Sequence, residues 1–304
     1  MNRRIAPLMF ALLGLPLAAC SNITFLAANV PATFERYDAV RDLAYGEDSR
    51  HRIDVYRPKD LSEDGTARPV IVFFHGGRWS FGEKEQYKFV GAALAARGFV
   101  AVLPNYRLYP QARLAEFGDD AARAIAWARA HAREHGGDPH RVFVMGHSAG
   151  AHLAALVGLD ATWLERHGVA TQELAGVIGL AGPYDFLPFT DEDIRDMFGP
   201  EQQYLRSQPI AFVRADAPPL LLMHGLRDDT VWVKNTRNLA AALERSGAHY
   251  SVRYYGELGH GDLVGALSLP LRRRAPVLED IAQFVEREMA TNEHEKHDRK
   301  KEMR

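Results

Sequence analysis

The sequence predicts an α/β fold: a mostly parallel central sheet, helices on both faces, and a small cap inserted late in the chain. Three observations carry this. Strand-like and helix-like runs alternate from about residue 50 to about residue 290. Several strand-like runs are continuously apolar, as strands covered on both faces are. Gly146-His147-Ser148-Ala149-Gly150 stands between an apolar run and a helical one, the setting of a sharp strand-to-helix turn that exposes a serine.

The elements follow in order. Ile53-Asp54-Val55-Tyr56 alternates in period two, as an edge strand does. Pro69 to Phe74 is apolar throughout and reads as a buried strand. Glu85 to Arg97 is helical, stopped by Gly98, and Phe99 to Leu103 is a strand halted by Pro104. Glu116 to His135 is amphipathic, with Phe117, Ala121, Ala124, Ile125 and Ala128 along one side. After Gly136-Gly137-Asp138-Pro139, Arg141 to Met145 forms the strand before the serine and Ala149 to Leu159 the helix behind it. Gly176 to Leu180 and Pro219 to Met223 are further buried strands, Lys234 to Ser246 a helix, Tyr250 to Tyr255 the last strand, and Ala275 to Met289 the closing helix.

Two segments depart from this rhythm. Residues 185–216 carry Phe186, Phe189, Phe198, Tyr204 and Phe212 among several prolines. So many aromatics need something to cover, so the segment is expected to cap the sheet edge. The charge-rich tail, 291–304, is expected to fray.

The 304 residues suit one large α/β domain over 20–290, and 47% hydrophobic with 25% charged residues is ordinary for a chain with a sizeable core. The net charge of -2 gives no reason to expect nucleic acid as a partner. Oligomeric state is not legible.

Residues 1–19 read as an export signal: Arg3 and Arg4 form a basic region, and Ile5 to Leu17 an apolar one broken by two prolines. Leu17-Ala18-Ala19-Cys20 resembles the lipobox of bacterial lipoproteins. That resemblance implies cleavage before Cys20, acylation there, and an exported, membrane-anchored protein of the cell envelope (the outer membrane in a Gram-negative cell, since Ser21 follows). An ordinary secretory signal cut near Ala19 is the other reading. Cys20 is the only cysteine, so disulfides and cysteine-based metal sites within the chain are excluded.

A serine hydroxyl needs a base to attack a carbonyl, and a histidine base needs a carboxylate to fix its tautomer. Two post-strand loops downstream of Ser148 supply candidates. His224-Gly225-Leu226-Arg227-Asp228-Asp229 offers Asp228 as the acid, with Asp229 its close competitor and Asp185 a weaker one. Gly259-His260-Gly261 offers His260 as the base. Of the 13 histidines, His260 combines the chain order, a post-strand loop and flanking glycines. Local packing or hydrogen bonding accounts for His147 and His152, and a structural role for His224. His75-Gly76-Gly77-Arg78-Trp79 follows a buried strand, and its glycines let main-chain N–H groups face a cavity. With the N–H of Ala149, Gly76 and Gly77 can form an oxyanion hole. Trp79, Tyr106, Tyr184, Phe186 and Trp232 are candidate pocket walls, all on or near post-strand loops.

Together these pieces resemble the α/β-hydrolase superfamily over roughly residues 50–290. His75-Gly76-Gly77-Arg78-Trp79 is similar to the His-Gly-Gly-x-Trp form of arylformamidase-like and BD-FAE-like carboxylesterases, and departs from the His-Gly-Gly-Gly form of hormone-sensitive-lipase relatives. Asn105-Tyr106-Arg107-Leu108, Asp138-Pro139 and His224-Gly225 extend the likeness. The resemblance implies a triad of Ser148, Asp228 and His260, oxyanion donors at Gly76, Gly77 and Ala149, and neither metal nor cofactor. It implies hydrolysis of carboxylic esters of small to medium acyl or aryl groups. N-formylkynurenine formamidase is the rival within the class. A non-catalytic binding protein on the same fold is the rival outside it.

Overall fold

The computed structural model describes residues 17–59 and 66–302. Residues 1–16, most of the segment expected to be an export signal, lie outside that range, and Leu17-Ala18-Ala19-Cys20 opens the first helix, α1 (Leu17–Ala32). Two antiparallel strands follow, β1 (Tyr37–Ala44) and β2 (Arg52–Pro58). Then come β3 (Arg68–Phe74), α2 (Lys88–Ala96), β4 (Val100–Pro104), α3 (Leu114–His131), β5 (Gly137–His147), α4 (Ala149–Leu159) and the short α5 (Ala161–Glu165). β6 (Leu174–Leu180), α6 (Glu192–Phe198), β7 (Leu220–Gly225), α7 (Lys234–Ser246), β8 (Tyr250–Tyr255), α8 (His260–Gly265) and α9 (Val277–Glu302) complete the chain.

The eight strands form one sheet in the order β1-β2-β4-β3-β5-β6-β7-β8. The pairs from β4 to β8 are parallel, and β2 pairs antiparallel with β4. Alternation along β3 divides the core. Val70, Val72 and Phe74 pack with α3 and α4 residues on one face, and Ile71 and Phe73 with α2 and α9 residues on the other. Every residue of β6 is buried, as a central parallel strand requires.

Ile53–Tyr56, expected at the edge, is second from it. The edge strand is β1, whose alternation is interrupted by a bulge between Val40 and Leu43 and which carries Asp38, Arg41 and Asp42. A bulge resets the period and charges protect an edge from mispairing, so both hide the strand from a periodicity search. The tail, expected to fray, continues α9 to Glu302. It holds Glu, Lys and Arg with neither Gly nor Pro after residue 277, a composition of high helix propensity. Residues 181–219, between β6 and β7, run over the carboxyl ends of the strands through α6 and two 3-10 turns (Glu201–Ser207 and Pro209–Phe212). Among the described residues, no helix is long and apolar enough to cross a membrane.

Candidate active site

The serine turn is built by close approach. A Cβ added at Gly146 would lie 2.2 Å from the carbonyl carbon of Gly150, and one at Gly150 would lie 2.0 Å from the carbonyl oxygen of Phe74. Only glycine fits at either place. Between them Ser148 sits at φ 56°, ψ -122°, heading α4. Its N–H donates to the carbonyl of Leu180 at 2.9 Å, tying the turn to the end of β6.

His260 begins α8 and reaches both partners. Its Nε2 lies 2.9 Å from Ser148 Oγ and its Nδ1 2.8 Å from Asp228 Oδ2. The main-chain N–H groups of Thr230 and Val231 donate to the other carboxylate oxygen, at 3.0 and 2.8 Å. His224 Nε2 lies 3.4 Å from Asp228 Oδ2, while it donates to Val231 O at 2.8 Å and Nδ1 accepts from Thr236 Oγ1. Burial alone would raise the Asp228 pKa. The hydrogen bonds from His224, His260 and Val231 outweigh that and hold it well below the ordinary carboxylate range. Asp229 is exposed and accepts only from its neighbour Thr230 among the bonds described. Asp185 pairs with Asn238 instead.

The loop after β3 wraps Ser148. A Cβ on Gly76 would lie 3.3 Å from Ser148 Cβ. Gly77 adopts φ 124°, where a Cβ would fall 1.9 Å from the carbonyl oxygen of Phe81. Arg78 and Trp79 follow at φ 51° and 56°. The loop is held from behind. Tyr106 O–H donates to His75 O at 3.0 Å and its ring stacks on His75 at 4.4 Å. Arg50 donates to Tyr106 O and Gly82 O.

A cavity of about 520 Å³ opens beside Ser148 and Ala149. Trp79, Phe186 and Trp232 line it, together with Phe189 and Ile194 from the cap. Tyr106 and Tyr184 do not, and their reading as pocket walls is corrected. Both are fully buried: Tyr106 braces the loop from below, and a Cβ at Gly179 would meet the Tyr184 hydroxyl at 2.0 Å, placing that ring against β6. Position after a strand does not say which way a ring turns.

Three features escaped the sequence. Arg78 lines the cavity and reaches the cap, donating to Asp191 and Asp193 at 2.8 Å each. Asn235 Oδ1 accepts from the N–H groups of Tyr184 and Asp185, fixing where the cap leaves the sheet. Asp120 is buried on α3, paired with Arg107 at 2.6 Å and His51 at 2.9 Å. An acid within the apolar face of a helix was a signal available for Asp120 alone.

A serine at the end of β5, with a carboxylate after β7 and a histidine after β8, defines an α/β-hydrolase fold. Solved structures agree on that fold: esterase B from Lactobacillus rhamnosis has a TM-score of 0.78 at 21% identity, covering 92% of this chain and 94% of that one. Thermogutta terrifontis esterase 2, phosphoramylated by tabun, has a TM-score of 0.67 at 26% identity, covering 81% and 93%. A family model described as BD-FAE matches residues 53–243, and the chain belongs to that family. Among curated relatives, isoprenylcysteine alpha-carbonyl methylesterase ICME of Arabidopsis thaliana is 29% identical over 271 residues, covering 82% of this chain and 62% of the relative. Esterase LipC of Mycobacterium tuberculosis is 33% identical over 272 residues, covering 82% and 65%. The chain therefore spans less than two thirds of the length of these two relatives.

Proposed function

We propose that this chain is a serine hydrolase of carboxylic esters carrying small to medium acyl or aryl groups. The single observation that carries the reading is His260 bridging Ser148 Oγ at 2.9 Å and the Asp228 carboxylate at 2.8 Å. Ser148 Oγ attacks the ester carbonyl carbon as its proton passes to His260 Nε2. Asp228, kept ionised by its hydrogen bonds, holds Nδ1 protonated and balances the imidazolium. The tetrahedral oxyanion rests on the N–H of Ala149 and those of Gly76 and Gly77, each such donor supplying about 2.7–4 kcal/mol. Collapse expels the alcohol, which takes the proton from His260. Water activated by the same Nε2 then attacks the acyl-enzyme, releasing the acid and restoring Ser148.

The aromatic lining supports uncharged acyl or aryl groups, and about 520 Å³ is within the usual range for small-molecule pockets. Names of relatives point the same way, since both curated ones above are called esterases. A fluorophosphonate probe tests the reading. Covalent adduct at Ser148, found by mass spectrometry and absent from Ser148→Ala, is expected; no adduct would sink it. A panel of p-nitrophenyl esters of rising chain length, with formylkynurenine beside it, then ranks acyl groups and tests the formamidase rival.

We also propose export and acylation at Cys20, from the lipobox-like Leu17-Ala18-Ala19-Cys20. Incorporation of a labelled fatty acid that persists in Cys20→Ala would refute it.

A further inference from the structure

We propose that His147 is a positioning residue that holds His260 at attack distance from Ser148, by clamping the main-chain carbonyl of His260. The inference deepens the hydrolase reading and rests on it. His147 is the residue before the nucleophile, and its imidazole is almost fully buried. Its Nε2–H donates to the carbonyl oxygen of His260 at 3.1 Å. Its ring lies 4.7 Å from the His260 ring, tilted by 40°. On its other side, a Cβ built on Gly76 would lie 3.2 Å from His147 Nδ1. One side chain thus touches the serine turn, the base and the loop that surrounds the nucleophile.

The base needs such a clamp. His260 has Gly259 before it and Gly261 after it, and a Cβ at Gly261 would meet nothing within 4 Å. α8, which His260 begins, is only six residues long. Glycines on both sides leave the main chain little intrinsic stiffness. Asp262 anchors Gly259 by accepting from its N–H, but the carbonyl of His260 itself is met by His147. A misplacement of about 1 Å can cost roughly 10²-fold in rate.

The clamp has a defined proton state. Donation from Nε2 leaves Nδ1 as the lone-pair nitrogen, and Nδ1 is buried with no hydrogen-bond partner among the described residues. Burial first, and the neighbouring His260 second, push the His147 pKa down to about 3. A neutral His147 adds no positive charge beside the imidazolium that forms on His260.

His147→Leu and His147→Gln separate this role from packing. With p-nitrophenyl acetate, His147→Leu should lower kcat by about 10–100-fold with KM little changed, and slow fluorophosphonate labelling of Ser148 in proportion. His147→Gln keeps an amide N–H able to reach the same carbonyl and should recover most of kcat. Wild-type kcat in His147→Leu would overturn the proposal, and so would a glutamine variant as slow as the leucine one. If His147→Leu loses its cooperative melt, His147→Met against His147→Gln repeats the comparison, and equal kcat in that pair overturns it. Absence of a Ser148 adduct in the wild type would instead defeat the hydrolase reading itself.

Discussion

Ser148 occupies a left-handed φ of 56° that non-glycine residues rarely adopt, at a cost of about 1–3 kcal/mol. The tight turn imposes that conformation, and it aims the hydroxyl at His260. Two substitutions therefore differ in a useful way. Ser148→Ala keeps the strain and removes the hydroxyl. Ser148→Gly removes both, and should raise the thermal midpoint over Ser148→Ala by a few degrees, for a gain of about 1 kcal/mol; differential scanning calorimetry reads this directly. The acid is a second residue-scale matter. Asp228→Asn should lower kcat by about 10⁴-fold, because the amide favours the wrong imidazole tautomer. Asp229→Asn, at an exposed side chain, should leave kcat near the wild-type value. Equal losses in the two variants would contradict the assignment of the acid.

At the scale of elements, the loop after β3 and the cap form one unit. Gly77 cannot accept a side chain without moving the Phe81 carbonyl, since a Cβ would lie 1.9 Å from it. Gly77→Ala should therefore displace the candidate oxyanion donors, and kcat should fall by about 10²-fold or more while circular dichroism still reports a folded sheet. The Arg78 clasp to Asp191 and Asp193 joins this loop to α6 across the cavity mouth. All three side chains are more than a third exposed, so salt screens the clasp. Arg78→Gln should raise KM more than it lowers kcat, and wild-type KM should rise with sodium chloride while the variant's does not. A KM indifferent to salt in both proteins would mean that the clasp does not shape the pocket.

The whole molecule keeps several imidazoles neutral inside its core. Burial pushes His75 and His152 down to about 4, from an ordinary value near 6.5. Each has a folded pKa below its unfolded one, so the unfolded chain binds more protons between those two values. Their contribution is complete above pH of about 6.5 and is lost as pH falls toward about 4, to the extent of about 3 kcal/mol for each group. Urea unfolding across that window should show stability dropping steadily with acid. A flat profile would contradict neutral burial of both rings.

The sequence by itself determined the parts whose cause is local. Gly146 and Gly150 mark a turn too tight for a Cβ, and that steric demand is written in the residues themselves. Apolar runs announced the strands from β3 to β7, and Lys234–Ser246 and Tyr250–Tyr255 have the bounds expected of them. The order of Ser148, Asp228 and His260 along the chain could be read because each follows a strand of the sheet. Only the tertiary structure decided what depends on direction and distance between remote segments. Adjacent aspartates at 228 and 229 look alike in sequence, and one turns inward to His260 while the other faces solvent. Tyr106 and Trp79 both follow strands, yet one ring braces the loop and the other lines the cavity. β1 escaped notice because its bulge breaks the period, and the Arg78 clasp because more than a hundred residues separate its partners. Burial is a property of the assembled sheet, cap and helices, and residues near in sequence do not share it.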